Sequence, residues 1–184
     1  MFHRMKTGIY IVAEMPEPVR TQVLEVQRWA DPRLARGTPP HVTLVGSSGA
    51  GPIPVSTTLI DVELALAPIV ADTAPIVVKL GAPVRFMQTH IIVLPLDPHG
   101  PLRTLHERIR SSGLRYEAPR FPFSPHVTLS FYRELVPERA KKLLSTRIDD
   151  PVTIDRLQVY VTDQSGMAKR AMELRLGDQQ SVRG

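Results

Sequence analysis

A four-residue strand is written twice in this sequence. It reads His41-Val42-Thr43-Leu44 and His126-Val127-Thr128-Leu129, each copy directly after a proline, Pro40 or Pro125. One copy lies in each half of the 184-residue chain. Side chains alternate between faces along a strand. Each copy therefore sends His and Thr to one face and Val and Leu to the other. Burial of one face accounts for the Val and Leu positions. It gives no reason for the same His and Thr on the opposite face, twice. A single His-x-Thr is usually an ordinary half-buried histidine, but the doubled motif predicts two related halves meeting at a cleft. Two imidazoles and two hydroxyls converging there make a site suited to a phosphodiester.

The elements around each copy repeat in the same order. Gly8–Ala13 is a near-continuous apolar run and predicts a buried strand. Pro16 and Pro18 open a helix whose apolar stripe is Val19, Val23, Val26 and Ala30, with Trp29 as a core anchor. Residues 31–40 read as loop. After the first motif, Gly46-Ser47-Ser48-Gly49-Ala50-Gly51 lacks the spacing of a P-loop or a nucleophile elbow, and is expected as cleft rim or connector. Thr58 and Asp61 have capping-box spacing for a helix to Ala71, and strand is expected from Ile76 to Leu80, extending to Phe86.

The second half reads alike. His90–Leu96 is a strand, and Pro101 starts a helix with Leu102, Leu105 and Ile109 inward and Arg103, Arg108 and Arg110 outward. His99 and His106 have no third ligand, and His90 has no partner motif. Residues 114–125 are loop, and a helix follows from Pro137. Residues 152–162 and 168–176 form a hairpin around Gln164-Ser165-Gly166, and the polar tail starts at Gly177.

The expected architecture is α+β: two pseudo-symmetric lobes of antiparallel sheet, with outer helices, around a central cleft. The chain is taken as a single bilobal domain over 1–184, with repeats at about 7–86 and 88–162 and a C-terminal strand at 168–176. The net charge of +5 comes from scattered arginines, which suits a mobile anionic substrate better than a long DNA footprint. With no cysteine there is no disulfide, thiol nucleophile or Cys-based zinc site. The run Ile9–Ala13 is too short for a signal-peptide core, and no stretch approaches the roughly twenty apolar residues that cross a bilayer. A cytoplasmic monomer with no membrane partner is the expectation.

The two His-Val-Thr-Leu motifs, with Arg120-Phe121-Pro122-Phe123-Ser124-Pro125 leading into the second, resemble the two-histidine phosphoesterase superfamily. Its members include the bacterial 2′-5′ RNA ligases and cyclic nucleotide phosphodiesterases. The likeness runs from about Thr7 to Leu176. It implies hydrolysis or ligation at 2′,3′-cyclic phosphate ends or 2′-5′ linkages of RNA or nucleotides, without a metal and without a cofactor. It also implies that C-terminal strands return to the lobe holding the N-terminus.

An imidazole titrates near 6.5, so one member of a pair can be neutral while the other is charged. His41 and His126 are the candidate catalytic acid and base, in an order the sequence leaves open. Thr43 and Thr128 are candidate phosphate donors. Phe123 and Tyr132 are candidate stacking rings for a base, and Arg120 and Arg133 are candidates to steer the phosphate. Ser130 shares the face of His126 and Thr128, where the first half has Val45. The alternatives are a phosphodiesterase for a small nucleotide, such as an ADP-ribose cyclic phosphate or 2′-5′ oligoadenylate, and a non-catalytic module that binds RNA ends.

Overall fold

The computed structural model describes residues 6–86, 89–132 and 135–177. The first half runs β1 (Gly8–Glu14), α1 (Val19–Ala30), α2 (Pro32–Ala35), β2 (His41–Val45), α3 (Leu59–Ala71), β3 (Ile76–Val78) and β4 (Val84–Arg85). The second runs β5 (Ile92–Pro95), α4 (Pro101–Arg110), β6 (His126–Ser130), α5 (Pro137–Leu144), β7 (Val152–Ile154) and β8 (Arg156–Thr162), and β9 (Ala168–Arg175) closes the chain. Seven strands form one antiparallel sheet in the order β4-β5-β6-β2-β1-β8-β9, and β3 pairs with β7 in a second.

That order is a pseudo-twofold pattern. The motif strands β2 and β6 are central neighbours, each flanked by the first strand of its own half, β1 or β5. The last strand of each half then crosses to the other: β8 lies against β1, and β4 against β5. The C-terminal return to the N-terminal lobe is therefore one arm of a reciprocal exchange. It also explains why two expected strands are broken. Residues 76–86 split at Gly81, whose N–H donates to Pro95 O at 2.7 Å. Residues 152–162 split at Asp155, whose carbonyl accepts from Leu176 N–H at 2.8 Å. In each half one piece joins the small sheet and the other the large one, so a continuous strand would forfeit one set of partners.

Local signals act as expected at most helix ends. Thr58 caps α3: its Oγ1 accepts from Asp61 N–H at 3.1 Å and donates to the Asp61 carboxylate at 2.7 Å. Pro101 occupies the first turn of α4, and Leu102, Leu105 and Ile109 are buried beneath it. The buried stripe of α1 is Val19, Val23, Gln27 and Ala30, with Gln27 in place of Val26 at its centre. The segment 31–40, expected as loop, holds the short α2, because Asp31 accepts from Leu34 N–H at 3.2 Å and starts a new turn. Strand β5 begins at Ile92 rather than His90. Among the described residues no helix is long and apolar enough to cross a membrane.

The helices cover one face of the large sheet. Val42, Leu44, Val127 and Leu129 lie fully buried in that layer with the inward residues of α1, α3, α4 and α5. The other face carries a smaller cluster of Tyr10, Val12 and Tyr160. This second face is the one that His41, Thr43, His126 and Thr128 share, all four half-buried.

Candidate active site

Proline and register together position the histidines. Each follows an X-Pro pair, and its Nδ1–H donates to the carbonyl of the residue before that proline. The distance is 2.6 Å from His41 to Pro39 O and 2.7 Å from His126 to Ser124 O. A proton held on Nδ1 leaves Nε2 as the free ring nitrogen, able to accept or return a proton. The β2–β6 ladder consists of one residue pair, Val42 with Val127, the same position of both motifs. Continued one residue each way, that register sets His41 level with Thr128 and Thr43 level with His126. Gln27 of α1 holds the junction from the core side, with Nε2 donating to Thr128 O at 2.9 Å.

A matching irregularity lies beside each motif. The β1–β2 register shifts between Ile11 and Val12, opposite Val45 and Thr43, and the β5–β6 register shifts between Ile92 and Val93, opposite Ser130 and Thr128. Bulges of this kind re-aim side chains next to sites. Ser130 consequently does not offer its hydroxyl to the cleft. It is fully buried, and its Oγ accepts from Tyr132 N–H at 3.1 Å.

The two histidines differ in company. Glu14 is the Cα partner of His41 across the β1–β2 ladder, so both residues stand on the same face. Its carboxylate accepts from Tyr160 Oη at 2.6 Å and lies 3.6 Å from Arg170 Nη1. At the equivalent place beside His126 stands Pro95. The neighbour there is aromatic instead: the Phe86 ring is 4.5 Å from the imidazole centroid, with Phe121 edge-on to Phe86 at 6.3 Å.

Burial pushes both imidazoles below their usual 6.5. For His41 the bond to Pro39 and the negative charge of Glu14 pull the other way. For His126 the bond to Ser124 opposes burial, while the positive charge of His41 adds to it. Within that shared depression, Glu14 favours the protonated form of His41, and charge on His41 disfavours protonation of His126. Burial, then the bond to Glu14, raises the Tyr160 hydroxyl well above its ordinary range, which keeps it a donor.

Other candidates fall elsewhere. Phe123 does not stack on a ligand: it is 5% exposed, its ring lies flat on His106 at 3.9 Å, and Arg103 donates to its carbonyl at 3.1 Å. His106 is itself a joint between the halves, with Nδ1–H donating to Leu44 O at 2.7 Å. Gly49 abuts that imidazole so closely, at a φ of +71°, that any side chain there would collide with the ring. The 46–51 loop, expected as rim or connector, is stitched to the segment before β6. Gly49 N–H donates to Phe121 O, Gly51 N–H to Glu117 O, and Arg120 N–H to Ser47 O. Arg120 is exposed, with its charge felt at Tyr10 beside Thr43. Arg133 lies outside the described residues. Tyr132 is 39% exposed and lines a cavity of about 1390 Å³ that opens on the His41 side, past Glu14 and Pro39. Among the described residues, no three His, Cys, Asp or Glu side chains gather as a metal-ligating group.

Phe86, Phe121, Glu14 and Tyr160 were missed from the sequence. Glu14 has the right parity on its strand, alternating with the inward Ile11 and Ala13, but only the ladder register brings it to His41. Phe86 reaches His126 through the crossed strand β4, for which the sequence carries no local signal.

A model of the 2′-5′ RNA ligase superfamily matches residues 15–166, spanning both motifs. The chain belongs to this superfamily. Its relatives among solved structures support the fold. TT0787 of Thermus thermophilus superposes with a TM-score of 0.64 at 19% identity, covering 94% of this chain and 99% of its own. E. coli LigT complexed with 3′-AMP gives 0.58 at 16%, covering 92% and 98%. LigT complexed with NADP+ gives 0.55 at 16%, covering 94% and 99%. No curated protein matches the sequence. Superfamily membership places the chain among the LigT-like, two-histidine phosphoesterases and ligases, and the antiparallel α+β architecture agrees.

Proposed function

We propose that this protein is a metal-independent phosphoesterase acting on 2′,3′-cyclic phosphate ends or 2′-5′ linkages of RNA or nucleotides, with His41 and His126 as its acid–base pair. The observation that carries this reading is the identical seating of two imidazoles on neighbouring strands that pair at one point. Each has Nδ1 tied to a carbonyl and a threonine of the other strand alongside. In hydrolysis of a cyclic phosphate, water attacks phosphorus as one ribose oxygen leaves. His126, kept neutral, takes the proton of the water. His41, whose protonated form Glu14 favours, gives its proton to the departing ribose oxygen. Thr43 and Thr128 donate to the non-bridging oxygens, where negative charge must be held in the transition state. In ligation a ribose 5′-hydroxyl takes the place of water and the roles are the same; cleavage of a 2′-5′ linkage back to the cyclic phosphate exchanges them. That LigT is complexed with 3′-AMP and NADP+ supports a ribose-phosphate ligand for this site as well.

A panel of 2′,3′-cyclic mononucleotides, cyclic-ended oligonucleotides and 2′-5′ dinucleotides tests the reading. Turnover of at least one class should persist in excess chelator. Binding without turnover across the panel would make the protein an RNA-end binding module, and loss on chelation with recovery on one divalent ion would make the histidines ligands.

A further inference from the structure

We propose that this chain associates with itself rather than remaining a monomer, the outer face of α3 of one copy seating in a groove between α5 and β4 of the next. Helix α3 is apolar on both sides. Val62, Leu66, Ile69 and Val70 are buried against the core. The opposite side carries Ile60, Leu64, Ala67 and Pro68, spaced as one helical face. Ile60 and Leu64 are each 68% exposed. A helix apolar on its solvent side as well as its core side is ordinarily covered, and exposed apolar patches mark contacts. Asp61 and Glu63 border the stripe, one on each side, and both are exposed. Neither pairs with a cation among the described residues, and α3 has no Lys or Arg.

A surface of the complementary kind lies elsewhere on the same molecule. Leu135, Pro137 and Leu144 floor a groove whose cations are Arg85, Lys141 and Arg147, with no carboxylate among its described lining residues. None of the three cations forms an ion pair among the described residues. Arg147 donates only to the Leu144 and Thr146 carbonyls, at 3.2 and 2.7 Å. An apolar floor with a cationic rim fits an apolar helix face bordered by acids. Within one molecule the two cannot meet. Helix α3 packs against β9, the groove includes Arg85 of β4, and β9 and β4 are opposite edges of the seven-stranded sheet. The occupant is therefore a second copy, through a contact between unlike patches.

The repeat explains the pairing. Helices α3 and α5 hold equivalent places, each following the motif strand of its half. One is acidic and apolar on its outer side, and the other borders a basic groove. Both surfaces lie away from the catalytic pair. Phe86 lies against His126, so strand alternation sends its neighbour Arg85 to the helix-covered face. The outer side of α3 points away from the sheet. Association leaves the cleft open.

The test is light scattering on the full chain over a concentration series, at low and high salt. It compares wild type with two double variants, Ile60→Gln/Leu64→Gln and Arg85→Glu/Lys141→Glu. All four side chains are exposed, so both variants should keep the wild-type melting temperature. The mass of wild type should rise with concentration to two chains or more, and salt should oppose the rise. Each variant should weaken association at least about tenfold, staying at the mass of one chain where wild type does not. An equimolar mixture of the two variants should form a 1:1 complex and stop there, because one keeps the groove and the other keeps the α3 face. Wild type at the mass of one chain up to millimolar concentration, undiminished association in either variant, or no complex on mixing overturns the inference. Turnover of 2′,3′-cyclic AMP should be equal in dilute wild type and both variants. Its absence from all three would remove the proposed reaction and leave the contact standing.

Discussion

The two motif strands use the same backbone device and surround it differently. On β2 the imidazole stands beside a carboxylate, Glu14, which is itself held by Tyr160 and Arg170. On β6 it stands beside a phenyl ring, Phe86, with a proline where the carboxylate would be. A symmetric pair of identical histidines could share one proton, but neither member would be favoured as acid or as base. The repeat supplies the matched geometry, and the departures from it supply the chemical difference.

The largest expected effect comes from removing either member of the pair. His41→Ala and His126→Ala should each lower kcat roughly 10²- to 10⁴-fold, and the double variant should be scarcely worse because the two act as a unit. Melting temperature should hardly change, since both side chains line a cleft rather than fill the core. Leu129→Ala tests the other face. Leu129 is fully buried, so its loss should cost about 2 to 5 kcal/mol in denaturant unfolding while kcat of the folded enzyme is retained. If the histidine variants unfold and the leucine variant does not, the strand faces are inverted and the account fails.

Smaller effects sharpen the contrast between the two ends. Phe86→Ala should expose the His126 imidazole to water and so relieve the burial that depresses its affinity for protons. The low-pH limb of kcat/KM, set by the base, should then move to higher pH. No shift of that limb would mean the ring only packs.

The same depressed imidazoles link stability to pH. His41, His106 and His126 all titrate below the usual 6.5 when folded, and burial is the leading cause in each. Between that folded value and 6.5 the unfolded chain binds more protons than the native one. Stability should therefore be flat above about pH 6.5 and fall as the pH drops below it. Urea unfolding at pH 7.5 and 5.5 measures the difference, which should shrink in His126→Ala.

What the sequence disclosed follows from how locally each feature is encoded. His41, Thr43, His126 and Thr128 were legible because strand alternation is a local rule and the motif occurs twice. The prolines ahead of each histidine were visible too, but their part in fixing Nδ1 requires the observed carbonyl geometry. Glu14 and Phe86 depend on register and on the crossing of β4 and β8, which join residues distant in sequence. Phe123 misled because an aromatic beside a motif looks the same whether it faces solvent or lies on His106. The breaks at Gly81 and Asp155 were hidden inside apolar runs that read equally well as continuous strands.

The central claim, that the two histidines are an acid–base pair made unequal by their neighbours, is tested most directly by one pH profile. It is the dependence of kcat/KM on pH for a 2′,3′-cyclic phosphate in wild type and Glu14→Gln. Glu14 faces His41 and is itself bonded to Tyr160 and close to Arg170, with Arg20 felt at Tyr160 and His126 on the neighbouring motif strand; of these groups only Glu14 favours the protonated form of His41. The wild-type profile should be bell-shaped. In Glu14→Gln the high-pH limb, set by the acid His41, should move to lower pH while the low-pH limb stays in place. A flat wild-type profile, or movement of the low-pH limb alone, would contradict the account.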